Sequence, residues 1–305
     1  MTRLFASPRA STRPTPAGLH GIDARACARP SPRAGGTRRL LAGLALSVGG
    51  LLASPGAHAH NTWLLPSSTI LSAPQWVTVD AAVSNDLFYF NHAPLGVDEL
   101  LIHAPGGETS KPENVSRGKL RTTFDANLDK DGTYKIAIAR GGVFASWKEN
   151  GAPKRWRGTA ERFAAEVPAN AQDLQVNETD SRLETFVTVR KPTDTVLKPT
   201  GQGLELVPVT HPNDLVADEA ATFQLLVDGK PVNGLEVTVT PGNVRYRDKL
   251  DEAKYTTDAN GKFVVKWPGP GMYWLDASTS DDKTTVKQAR QRRLSYAATL
   301  EVMPK

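Results

Sequence analysis

The sequence predicts an all-β protein of two β-sandwich domains behind a cleaved signal peptide. Three observations carry this reading. Short runs alternating β-branched or aromatic residues with polar ones recur along the chain. After His60, proline and glycine punctuate it roughly every ten residues, as turns between short strands do. No amphipathic pattern of helical period persists over any length.

The leader comes first. Of the 305 residues, 1–59 hold eight arginines and one acid, Asp23; they carry +7 against +5 for the whole chain, which leaves −2 on the remainder. The basicity departs with the leader, and no later Lys/Arg stripe replaces it, so nucleic acid is not an expected partner. Leu40 to Ala53 is an apolar run of signal-peptide length, short for a membrane span, and Ala57-His58-Ala59 fits the small-x-small cleavage rule. Pro55 and Gly56 interrupt the run before that site, which argues against a retained anchor. Arg38-Arg39 fits a twin-arginine export signal as well as an ordinary basic flank. The expected location is the periplasm, with a mature chain beginning at His60. The single cysteine, Cys27, precedes the apolar run. The mature chain therefore has no disulfide and no thiolate, and a metal site in it must use imidazole, carboxylate, amide or the terminal amine.

Residues 60–200 form the first expected domain. Gln75–Val83, Gly132–Ala139 and Glu184–Val189 alternate as half-buried strands do. Thr159–Glu166, stopped by Pro168, is the best helical candidate. Residues 191–203 read as a linker or a long crossing loop. Residues 201–305 form the second expected domain, with strands at Ala221–Val227, Leu235–Thr240, Lys262–Trp267, Gly271–Ala277 and Ser295–Val302. Turns at Asp228–Pro231 and Thr256–Gly261 separate them, a spacing that a small sandwich produces.

The chemistry concentrates on histidine. A chain starting at His60 offers a metal two nitrogens from one residue, its α-amine and its imidazole. One further imidazole or carboxylate completes a tetragonal set suited to Cu(II) or Ni(II). The amine, with a reference pKa of about 8, is partly deprotonated at neutral pH. The other histidines of the mature chain are His92, His103 and His211. His92 sits in a loop after Asp86-Leu-Phe-Tyr-Phe-Asn and is the stronger candidate partner for His60. His103 ends a strand and is the second. The alternative for each is a hydrogen-bonded structural histidine. His211, in Thr210-His-Pro-Asn-Asp214, is expected to shape a turn at the domain junction. Asp86 is either a carboxylate ligand or a turn cap.

A second feature is the run Phe144–Arg157. Asn150-Gly151 is a hairpin signal, and it presents Trp147 and Trp156 among Lys148, Lys154, Arg155 and Arg157. The run reads either as a ligand or partner surface or as a tryptophan pair stabilising a long hairpin. There is no Gly-x-Ser-x-Gly elbow, no His-Glu-x-x-His and no phosphate-cradling loop, so an enzyme is not expected.

With His60-x-x-Trp63-Leu-x-Pro66 directly after an Ala-His-Ala leader end, the sequence resembles domain-of-unknown-function family 4198 over essentially all of 60–305. The turns Asp228–Pro231 and Thr257–Gly261 also resemble those of transthyretin-like and collagen-adhesin B-type sandwich modules. The first resemblance implies a periplasmic protein associated with uptake of nickel, cobalt or another transition metal such as iron or copper. His60 is the residue that carries over, and a metal-uptake transporter or outer-membrane receptor is the implied partner. Two other functions remain open at this point: a metal-free scaffold module for such a receptor, and a copper redox enzyme of the histidine-brace kind.

Overall fold

A computed structural model describes residues 61–305. The leader and His60 lie outside the described residues. In chain order the elements are β1 (Asn61–Pro66), β2 (Ile70–Leu71), β3 (Gln75–Ser84), β4 (Ala93–Pro94), β5 (Leu100–His103), β6 (Thr109–Ser110), β7 (Glu113–Arg117) and β8 (Thr122–Leu128). Then follow β9 (Gly132–Glu149), β10 (Ala152–Gly158), α1 (Ala160–Glu166), β11 (Gln172–Val189), β12 (Leu204–Pro208) and β13 (Ala220–Val227). The last are β14 (Lys230–Pro231), β15 (Glu236–Pro241), β16 (Ala253–Thr256), β17 (Lys262–Lys266), β18 (Gly271–Asp281) and β19 (Ala289–Val302). The protein is all-β, and every strand expected from alternation is present.

Local chemistry explains the turns. Asn150 and Gly151 both take positive φ (53° and 78°), as a two-residue hairpin between β9 and β10 requires. Asp228 and Gly229 do the same (50° and 74°) between β13 and β14. Thr159 caps α1, its side chain accepting from the Arg162 amide.

Three sheets result. The first runs β1-β3-β8-β7, with β4 beside β3. The central sheet has ten strands; its path is β16-β15-β18-β19-β11-β9-β5-β6, with β10 on β9 and β2 on β11. The third runs β12-β13-β14, with β17 on β13. Strands from both sides of residue 200 thus belong to one sheet, joined where β11 and β19 pair in parallel.

Side chains alternate across a strand, so the central sheet feeds two cores. On β11, Leu183, Val187 and Val189 join a core with Trp63, Val79 and Phe124 of the first sheet. Phe186, from the same strand, joins a core with Phe223, Phe263 and Leu206 of the third. On β19, Ala297 faces the first core, while Tyr296, Ala298 and Leu300 face the second. The first and third sheets therefore pack on opposite faces of the central one. The 191–203 segment is a packed crossing, because Val196 and Leu197 are buried in the second core.

Candidate functional site

The start of β1 is fixed firmly. Trp63 is 0% exposed, and its indole N–H donates to Ser84 Oγ at 2.7 Å. Phe88 and Phe90 lie against its ring, with centroids at 5.5 Å and 5.4 Å. Phe88 holds a φ of 60°, a strained conformation for an aromatic residue that this packing maintains. Trp63 thereby anchors both β1 and the 85–92 loop. From the central sheet, the Trp274 indole donates to the Thr62 carbonyl at 3.0 Å.

These contacts place Asn61 on the wall of a cavity of about 570 Å³. Its floor is the central sheet beyond the edge of the first, carrying Thr238, Thr240, Asp276 and Ser278. Asn85 and Leu87 from one loop, and Leu250 and Glu252 from another, form the rim. Asp276 stands at the centre, paired in register with Thr238 on one side and Ala297 on the other. Burial alone raises its pKa to about 6. Among the described residues no hydrogen bond or ion pair reaches this carboxylate. A half-buried carboxylate without a partner is costly, and a cation or donor placed beside it offsets that cost.

The histidines separate. His92 precedes Ala93, which pairs with Val83, while Asn61 pairs with Ser84 on the other side of β3. His92 and Asn61 thus flank one end of β3, about two strand spacings or ~10 Å apart in backbone. His92 is exposed and is not part of the cavity wall. His103 pairs with Lys135, and its pKa is lowered first by burial and then by that ammonium. Lys135 lies 3.7 Å from Glu184, whose carboxylate accepts from the Tyr296 hydroxyl at 2.9 Å; this is the face of the second core. His103 is therefore on the face opposite Asp276 and four strands away, about 19 Å. The structure does not bring His103 to the start of β1. His211 shapes a junction turn: its Nε2 bonds Thr133 Oγ1 at 2.9 Å and its Nδ1 accepts from the Asn213 amide at 3.2 Å. Asp86 holds its own loop, accepting from the Asn91 amide at 2.7 Å.

His60 lies outside the described residues, one peptide bond before Asn61. Among the described residues no three His, Cys, Asp or Glu side chains converge as a metal group; the carboxylates on the cavity wall are Asp276 on the floor and Glu252 on the rim. Asp276 is not legible as a ligand from sequence, because a single acid in a strand has no spacing partner. The signal was a lone acid in the apolar run Met272–Ala277.

The tryptophan hairpin is turned inward. Trp156 stacks edge-on against Phe163 of α1 at 5.7 Å and donates to Glu166 at 2.8 Å. Trp147 packs on the same small core, and both rings are half-buried against it. No helix among the described residues is long and apolar enough to cross a membrane.

Fold and cavity define a β-sandwich protein with a polar, carboxylate-floored cavity beside the start of its first strand. Residues 57–281 match the family described as Domain of unknown function (DUF4198), and the chain belongs to that family. Among curated proteins, none matches the sequence. Solved structures similar to the chain include the D0-D1 domain of intimin, at 15% identity and a TM-score of 0.21, covering 79% of this chain and 97% of that one. The Escherichia coli adhesin FdeC is similar at 15% identity and a TM-score of 0.22, covering 81% and 64%. The Yersinia pseudotuberculosis adhesin InvE is similar at 11% identity and 0.21, covering 80% and 61%. These likenesses bear on neither ligand nor partner.

Proposed function

We propose that this protein is an exported, periplasmic metal-binding accessory protein for transition-metal uptake. The amine and imidazole of an N-terminal His60 would meet the Asp276 carboxylate around the ion. One observation carries the reading: Asn61, the residue after His60, lines the same cavity as a half-buried carboxylate that has no partner among the described residues. Two nitrogens and one carboxylate oxygen suit Ni(II) or Cu(II), with Co(II) and Fe(II) weaker on the same donors. The partner is then a transporter or receptor component that takes the ion onward. The nickel association implied by the sequence resemblance agrees with the donor set without selecting nickel over copper.

Calorimetry on chain 60–305 with Ni(II), Co(II) and Cu(II) tests this. His60→Ala, Asp276→Asn and a form extended by one residue before His60 should each lower affinity by at least about ten-fold, the loss of one ligand. Unchanged affinity in all three refutes the site. The brace-type redox reading needs a second imidazole beside His60; by register His92, across β3 from Asn61, is the candidate. Ascorbate-driven oxygen consumption by the copper-loaded chain, abolished in His92→Ala, would favour it.

A further inference from the structure

The space beside Asp276 is far larger than an ion needs. A water in the liquid takes about 30 Å³, so a cavity of about 570 Å³ exceeds a hydrated cation and falls within the range of small-molecule sites. It also continues. A trough of about 690 Å³ shares Ser278 and Ser295 with it and extends along β18 and β19 to Arg293. The register makes the path explicit: Asp276 pairs with Ala297, Ser278 with Ser295 and Ser280 with Arg293. The floor is thus a carboxylate, then rows of hydroxyls, then a guanidinium, over about 13 Å of strand. Thr179 on β11 widens the hydroxyl row, pairing with Arg293. Arg293 makes no ion pair among the described residues. Its Nε donates to the Gln291 amide oxygen at 2.8 Å once that amide is oriented to suit its neighbours.

We propose that the trough from Asp276 to Arg293 binds the organic part of a metal chelate, a small hydroxycarboxylate that arrives with the ion. This rests on the metal reading of Asp276 and adds the ligand class to it. Lys254 and Glu252 also line the cavity, but the Lys254 ammonium is held by Glu236 at 2.9 Å, so Asp276 and Arg293 are the charges without an ion pair along the trough floor, and they select the occupant. A chelate presents its metal, an electrophile, at one end and free carboxylate oxygens at the other, matching Asp276 and Arg293 in order. Serine and threonine hydroxyls both donate and accept, so they satisfy a ligand's hydroxyl and carboxylate groups alike. A free hydroxycarboxylate lacks the metal and meets Asp276 as a like charge, so it binds poorly.

Equilibrium gel filtration of chain 60–305 with radiolabelled citrate, with and without equimolar Ni(II), tests the inference. Citrate should be retained with nickel and at least about ten-fold less without it. Arg293→Gln should lower citrate retention by about ten-fold, the loss of one charge-assisted contact, and leave the affinity for Ni(II) alone unchanged. A paired Ser278→Val, Ser295→Val variant, conservative in size, should lower it as well. If the protein binds nickel but releases citrate, or if neither variant changes retention, the trough is not a chelate site while the metal reading stands. If it binds nickel in neither form, both fail.

Discussion

Asp276 is the one residue of the cavity whose environment is set by burial without a partner among the described residues. Its folded pKa of about 6 lies above the ordinary carboxylate value of 3.8. The protonated form is therefore favoured by folding, and the stability this provides is present below pH 3.8 and lost as pH rises through 6. A shift of about two units corresponds to at most about 3 kcal/mol. In metal-free protein carrying an N-terminal extension, Asp276→Asn should be near neutral at pH 4 and stabilising by about 1–3 kcal/mol at pH 7.5. Urea melts at the two pH values check this, and equal differences at both would contradict the assigned environment. Trp63, a few residues from His60, has a structural part: it fixes β1 and the 85–92 loop through Ser84, Phe88 and Phe90.

At the scale of elements, turns and caps were legible because their chemistry is local. Asn150-Gly151, Asp228-Gly229 and Thr159 each specify their geometry within a few residues. The use of the hairpin was not legible. Two tryptophans among cations fit an exposed platform as well as an inward one, and only Phe163 and Glu166 on α1 decide between them. Trp156→Ala should destabilise this unit by about 1–3 kcal/mol, seen as faster amide exchange across β9, β10 and α1. Metal affinity should be unaffected, since none of these elements touches the cavity. A drop in affinity would tie the hairpin to the site.

At the scale of the whole molecule, the two cores share one sheet. Local patterning predicted an all-β chain with a break near residue 200, but could not show that β11 and β19 pair in parallel, Leu183 opposite Ala297, across more than a hundred residues. Alternation on a strand buried on both faces also conceals which core each face serves, which is why His103 read as a neighbour of the chain start. The shared sheet predicts that residues 61–305 unfold in one cooperative transition, with equal calorimetric and van't Hoff enthalpies. Two separated transitions would mean that the halves are independent despite the joint.

A nickel and copper titration of chain 60–305 beside the same chain with one extra residue before His60 tests the amine ligand directly. The extension leaves every described residue in place and removes only the free amine of His60. If the His60 amine and Asp276 hold the ion, the extension lowers affinity by about ten-fold or more, as Asp276→Asn does. Equal affinity in the extended and unextended chains would contradict it.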